Sequence, residues 1–154
     1  MNETVAIRRL LTGVPGLDAV LGGGVPEFSF NVIAGTPGAG KTTLVQQIMF
    51  ALARADRPAL FFTVLGEPPL KMLRYQQQFE FFDLVKVNAS VRFINLAKEA
   101  IDGGLAAVLK RIVQEVEATS PAIVIVDSFR SVMQAAQRQA EGLEVQHFVQ
   151  DLGM

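Results

Sequence analysis

Residues 35–43 constrain this chain more than any other stretch: they read GTPGAGKTT and follow the pattern G-x-x-x-x-G-K-S/T. The stretch comes after an apolar run and before a segment with helical periodicity. Glycines let the backbone curl until successive N–H groups point at one anion, and the following helix adds its positive end. The pattern therefore predicts a phosphate-binding loop, which consists of Gly35, Thr36, Pro37, Gly38, Ala39, Gly40, Lys41, Thr42 and Thr43.

The polar side chains of this loop have separate chemical roles. Lys41 can bridge the β- and γ-phosphates of a nucleotide as a point charge, and the Thr42 hydroxyl can ligate the accompanying Mg²⁺. Thr43 can assist with an α-phosphate. The alternative is a glycine-rich turn between a strand and a helix that binds no ligand.

Apolar runs alternate with helical patterns along the chain. Four runs predict strands buried on both faces of a sheet: FSFNVIAG (28–35), PALFFTVL (58–65), SVRFINL (90–96) and PAIVIVDS (121–128). A helix that starts near Gly103 and Gly104 is predicted by an apolar stripe: Leu105, Val108, Leu109, Ile112, Val113 and Val116. The alternation predicts an α/β fold, a mostly parallel sheet flanked by helices. Residues 129–142 fit either a helix or a loop.

Two acidic residues follow predicted strands. Because the carboxyl ends of parallel strands share one edge of the sheet, Asp127 is expected beside the phosphate loop, where it can hold Mg²⁺. The alternative for Asp127 is a turn or helix cap. Glu67 follows the second strand at the same edge and can activate the water that attacks a γ-phosphate. Its alternative is an exposed glutamate in the rigid turn that Pro68 and Pro69 form.

Composition excludes several other kinds of site. With 14 basic and 15 acidic residues among 154, the formal charge is -1, so no cationic field attracts nucleic acid or anionic lipid. The sequence has no cysteine and one histidine, which leaves no disulfide, thiolate or histidine metal site. No stretch reaches the roughly 20 apolar residues of a membrane helix. We expect one domain in a cytoplasmic protein that has no membrane segment.

Three features together resemble the KaiC-like branch of the RecA superfamily of ATPases: the block TGVPGLDAVLGGGVP (12–26), the phosphate loop, and IVIVDS after the long helix. The resemblance implies a RecA-like P-loop core with Walker A and Walker B motifs, ATP and Mg²⁺ as ligands, and hexameric or filamentous assemblies. It makes residues 35–43 the nucleotide loop, Asp127 the magnesium aspartate and Glu67 the catalytic glutamate, with Lys41 assisting. Relatives have paired glutamates where this chain has LGEPP, so a slower or modified hydrolysis is implied.

The resemblance also implies that residues 1–154 are a single partial domain, incomplete at its C-terminal end. RecA-like cores continue into a strand that inserts between the aspartate strand and the phosphate-loop strand, whereas this sequence stops at HFVQDLGM. We therefore expect an oligomer or an altered sheet order. The flanking strands would pair directly, another copy would supply a strand, or the region would lack order.

Three functions follow as hypotheses. The first is a KaiC-like regulatory ATPase, an ATP phosphohydrolase that acts in a homo-oligomer; hydrolysis by the fragment itself stays open. The second is a scaffold in which ATP or ADP joins subunits with little hydrolysis. The third, a recombinase-like DNA-binding protein, ranks last because residues 129–142 offer only Arg130 and Arg138. The sequence does not identify a protein partner.

Overall fold

The computed structural model of the chain describes residues 7–64, 69–136 and 142–153. Its elements are β1 (Arg9–Leu10), α1 (Leu17–Val20), β2 (Val25–Pro26), α2 (Lys41–Leu52), β3 (Ala59–Thr63), α3 (Pro69–Gln76), β4 (Val91–Asn95), α4 (Ala97–Thr119), β5 (Ile123–Val126), α5 (Phe129–Ala136) and α6 (Gly142–Leu152). Strands β3, β4 and β5 form a parallel sheet in the order β4-β3-β5, and β1 pairs with β2 in a small antiparallel ladder. The predicted α/β class is confirmed.

Strand β3 is central because its apolar run fits a position covered on both faces. Leu60 and Phe62 join a core cluster that includes residues of α4, α5 and α6. Ala59 and Phe61 alternate to the other face, where they pack with α2 residues such as Met49. The sheet therefore has helices on both faces, as the alternation of apolar runs and helical patterns predicted.

Three of the four predicted strands are confirmed with tighter bounds, as β3, β4 and β5, but only β3 is buried along most of its length, because β4 and β5 lie at the edges of the described sheet. The long helix is also confirmed, and Gly104 interrupts α4 with φ 63° and ψ -155°. Only glycine adopts this conformation readily. The helical turns that carry the predicted apolar stripe begin directly after Gly104. In the ambiguous range 129–142, α5 occupies the first part, whereas residues 137–141 lie outside the described residues.

The predicted strand FSFNVIAG is wrong. Residues 28–35 belong to no strand, and no backbone hydrogen bond joins them to the other described residues. Phe28 is 96% exposed and Val32 is 76% exposed. Apolar and β-branched residues form a strand only where a neighbouring strand pairs with their backbone, and the sheet as described pairs β5 with β3 alone. Direct pairing of residues 28–35 with β5, one of the outcomes expected, is absent from the described chain.

The glycine-rich block at residues 12–26 folds against the C-terminal end of α2. Thr12 is buried, and both its backbone N–H and its hydroxyl donate to Asp18 Oδ1, each at 2.8 Å. Gly13 has φ 68°, and a Cβ there would lie 2.5 Å from the Ala51 side chain. Such close approach requires glycine at position 13. Among the described helices, none combines the length and apolar character needed to cross a membrane.

Candidate functional site

The candidate site lies at the carboxyl edge of the parallel sheet. Phe62 on β3 pairs in register with Val126 on β5, and the Asp127 N–H donates to the Phe62 carbonyl at 2.9 Å. This hydrogen bond, one residue beyond the last paired residues of β3 and β5, holds Asp127 at the end of β5. Its side chain is only partly buried, so the carboxylate remains accessible to a ligand.

The phosphate loop reaches α2 through two glycines in the left-handed region. Gly38 and Gly40 both have φ 81°, and Gly40 directly precedes the first residue of α2. A Cβ at either position would meet nothing within 4 Å, so backbone conformation, and not space, favours glycine there. Gly35 differs, because a Cβ on it would lie 3.4 Å from the Ala39 side chain. Residues 35–40 are all exposed.

Lys41 begins α2 and folds its side chain back over the loop. Its Nζ donates to the carbonyls of Gly35 and Thr36, both at 2.9 Å. A lysine ammonium has three N–H donors, so these two bonds leave one donor for a phosphate oxygen. The ammonium therefore lies within the loop, consistent with the predicted role of a positive point charge.

Thr42 and Asp127 are 85 positions apart in the sequence and meet directly at this edge. The Thr42 hydroxyl donates to Asp127 Oδ2 at 2.6 Å, a short distance typical of a bond to a carboxylate. The fold thus brings together the two residues predicted to hold Mg²⁺. Thr43, the last residue of the motif, follows in the first turn of α2 and is partly buried.

The Thr42 hydroxyl and the Asp127 carboxylate are hard oxygen ligands, which suit Mg²⁺. Magnesium is commonly held by one or two such protein groups together with substrate phosphates and water. No cluster of three or more His, Cys, Asp or Glu residues was found in the described part of the chain. The donor set therefore fits a magnesium ion that arrives with a nucleotide better than a metal cage made by the protein alone.

Ser128, the residue after Asp127, caps α5. Its hydroxyl accepts a bond from the Ser131 N–H at 3.2 Å and lies 2.8 Å from the Ser131 hydroxyl. The peptide bond between Asp127 and Ser128 is cis. The chain thus passes from β5 into α5 within two residues, and α5 begins beside the site.

Two predicted residues lie outside the described residues: Glu67, the candidate catalytic carboxylate, and Arg138, one of two cations in the segment after Asp127. Their roles stay predictions. The described residues next to Glu67 are Val64, which follows β3, and Pro69, which begins α3.

An ion pair that the sequence did not predict lies before the loop. Glu27 has a side chain only 8% exposed, and Arg57 donates to its Oε1 through both Nη1 and Nη2, at 3.2 and 3.1 Å. A single glutamate before an apolar run does not indicate which residue it pairs with, and here the partner is 30 positions away. The one available signal was a charged residue directly before a predicted buried strand.

A parallel α/β sheet whose carboxyl edge joins a glycine-rich loop to an acidic strand end is the architecture of the P-loop class. A family model described as "ATPase: KaiC" matches residues 10–153, and the chain belongs to this family of KaiC ATPases. The predicted resemblance to the KaiC-like branch of the RecA superfamily is confirmed.

Individual relatives agree with this assignment. The chain is 32% identical over 121 residues to the DNA repair protein RadA of Mycobacterium tuberculosis, covering 79% of this chain and 22% of that protein. It is 39% identical over 75 residues to a UPF0273 protein of Methanopyrus kandleri, covering 49% of this chain and 29% of the relative. The chain thus spans less than a third of the length of each of these relatives.

A solved structure of a KaiC-like protein from Pyrococcus horikoshii has the same fold. It superposes with a TM-score of 0.75 at 24% identity, covering 96% of this chain and 66% of the other. At this identity the likeness bears on the fold alone.

Proposed function

We propose that this chain is the Mg²⁺-dependent, ATP-binding and ATP-hydrolysing domain of a KaiC-like regulatory ATPase that acts in a cytoplasmic homo-oligomer. The observation that carries the proposal is the 2.6 Å contact between Thr42 Oγ1 and Asp127 Oδ2, beside a lysine held within the loop. A glycine-rich turn without a ligand would not need a hydroxyl and a carboxylate, two oxygen ligands that suit Mg²⁺, in direct contact beside it. Membership of a family of ATPases supports the same conclusion.

In this proposal each described side chain has a definite task. The loop amides and the α2 N-terminus bind the polyphosphate, and Lys41 offers its remaining N–H to a β- or γ-phosphate oxygen. Thr42 and Asp127 would hold Mg²⁺, Asp127 through water. When bound, the ion neutralises charge that develops on the phosphate oxygens. Glu67 would orient and deprotonate the attacking water.

Nucleotide binding is the first test. Titration of the chain with ATP and Mg²⁺ is expected to show saturable binding, and Lys41→Ala is expected to weaken it roughly 10- to 100-fold, since a charge-assisted bond contributes about 1.5–3 kcal/mol. Lys110→Ala, an exposed lysine on α4, is the matched control and should bind as the wild type does. Chelation of Mg²⁺ should also weaken ATP binding. Unchanged affinity in Lys41→Ala would remove the phosphate-loop assignment.

Turnover separates the ATPase from the nucleotide-dependent scaffold. We expect Glu67→Gln to keep ATP affinity and to lower the hydrolysis rate by roughly 100-fold or more, because a general base contributes about that much. Equal rates in both proteins would exclude Glu67 from the chemistry. Assembly that depends on ATP without turnover, measured by light scattering, would favour the scaffold function.

DNA binding is the weaker proposal although one relative is a DNA repair protein. The chain has a formal charge of -1, and proteins that bind the DNA backbone usually concentrate positive charge on one surface. Retention on duplex or single-stranded DNA at physiological salt would overturn this ranking.

A further inference from the structure

We propose that Glu27, through its ion pair with Arg57, is a positioning residue that holds the phosphate loop in its binding conformation. The inference rests on the proposed nucleotide-binding function. It starts from the segment at residues 28–35, called here the lead segment, which enters the loop at Gly35 and makes no backbone hydrogen bond to the other described residues. The described sheet therefore does not fix the lead segment.

The lead segment is instead held near its two ends. At the loop end, Lys41 donates to the carbonyls of Gly35 and Thr36. At the other end, the Glu27 N–H donates to the Arg8 carbonyl at 2.8 Å, and Glu27 Oε2 lies 3.6 Å from Arg8 Nε. Between the ends, Phe30 approaches the end of α6 near Gly153 but is still half-exposed.

Arg57 connects Glu27 to the rigid part of the fold. It lies between α2 and β3, in a turn closed by a bond from the Arg54 N–H to the Arg57 carbonyl at 3.1 Å. The next residue, Pro58, accepts a bond at 2.8 Å from the Ala122 N–H, just before β5. An arginine anchored this way gives the lead segment a fixed point on the body that also carries α2.

The phosphate loop therefore has two connections to one body: α2 follows it, and the lead segment precedes it. Glu27 lies eight positions before Gly35, and an extended chain spans at most about 3.3–3.6 Å per residue. Glu27 lies outside the phosphate loop, so we expect it to act through the intervening chain and not by touching a nucleotide. The Glu27 side chain is only 8% exposed, whereas the Arg57 side chain is 37% exposed, so solvent screening of the pair is reduced mainly at the carboxylate.

The expected effect is on affinity and not on the chemical step. If the pair keeps the loop binding-competent, its loss lowers the competent fraction and raises the apparent Kd by the same factor. For Glu27→Gln we expect a Kd for ATP and Mg²⁺ raised roughly five- to tenfold, with kcat at saturating ATP unchanged. Amide hydrogen exchange across residues 28–36 should rise in the variant and return to the wild-type rate at saturating ATP.

Three further variants test the assignment. Arg57→Lys keeps the charge but loses the paired donors, so an intermediate rise in Kd is expected; it also serves if Glu27→Gln does not fold. The double variant Glu27→Gln with Arg57→Gln should bind ATP about as weakly as Glu27→Gln alone, because both substitutions remove one interaction. Glu115→Gln breaks the 2.7 Å ion pair with Arg111 on α4 and is the matched control, expected to leave Kd unchanged.

The outcomes separate this inference from the proposed function. Wild-type protein that binds no nucleotide overturns the proposed function. If the wild-type protein binds ATP, two results together overturn only the positioning role. They are a Kd for Glu27→Gln within twofold of the wild-type value and a loss of stability like that of Glu115→Gln. A fall in kcat at saturating ATP with unchanged Kd also overturns it.

Discussion

The described sheet and the lead segment are both apolar, yet only one of them is regular structure. Residues 59–62 of β3 have strand neighbours on both sides, and their side chains are almost entirely buried. Residues 28–33 contain an equally apolar run, yet Phe28, Phe30, Val32 and Ile33 are all exposed. The difference shows that hydrophobic composition makes a strand possible, whereas a hydrogen-bonding neighbour makes it form.

The two regions also carry different parts of the candidate site. The sheet supplies Asp127 at a strand end fixed by a ladder of backbone bonds. The lead segment supplies the entry to the phosphate loop, whose position depends on side-chain contacts near its ends. Asp127 is thus fixed by backbone bonds, whereas the phosphate loop is held by fewer interactions. Substitutions away from the site can therefore change nucleotide affinity through the loop.

The largest expected contrast comes from equivalent substitutions in the two regions. Phe62→Ala should lower the free energy of unfolding by about 3–5 kcal/mol, because Phe62 is fully buried in the core. Phe30→Ala removes a half-exposed ring and should cost less than about 1 kcal/mol. Urea unfolding of both variants measures the difference. Similar losses would show that the lead segment is buried in solution, for instance by another copy of the chain.

A smaller effect is expected in the glycine-rich block before the lead segment. Gly24 has φ 108°, and a Cβ there would lie 2.2 Å from the Leu10 carbonyl oxygen, so Gly24→Ala must displace backbone. We expect a loss of about 2 kcal/mol or more in unfolding free energy. Gly22→Ala is the control: φ is 67° with nothing within 4 Å, so only the backbone cost of about 1–2 kcal/mol applies. Equal losses would mean that the block yields to the added methyl group.

The smallest expected change in stability is at the contact between Asp127, at the end of β5, and Thr42, in the first turn of α2. Asp127→Asn keeps an oxygen that can accept from Thr42, whose side chain is exposed, so unfolding free energy should fall by less than about 1 kcal/mol. ATP binding should nevertheless lose most of its dependence on Mg²⁺, because the carboxylate charge is gone. Calorimetric titration with and without Mg²⁺ measures this. Full retention of the Mg²⁺ dependence would move the metal site away from Asp127.

Much of the site could be predicted because its parts are local. The loop motif needs only glycines at fixed offsets before a helix, and Gly38 and Gly40 adopt the left-handed conformation that this requires. Asp127 was predicted at the same edge because parallel strands align their carboxyl ends. The pair between Glu27 and Arg57 was not predicted, since a single charge in a sequence does not reveal its partner.

The sequence by itself determined the α/β class, three of the strands, the long helix and the conformation of the glycine-rich loop, because periodicity and local backbone preferences depend on consecutive residues. Tertiary structure alone decided which apolar runs became strands, how closely Thr42 and Asp127 approach, and what anchors the lead segment. Those outcomes depend on contacts between distant residues, and backbone pairing between strands is a property of neighbours in space that no single stretch of chain contains.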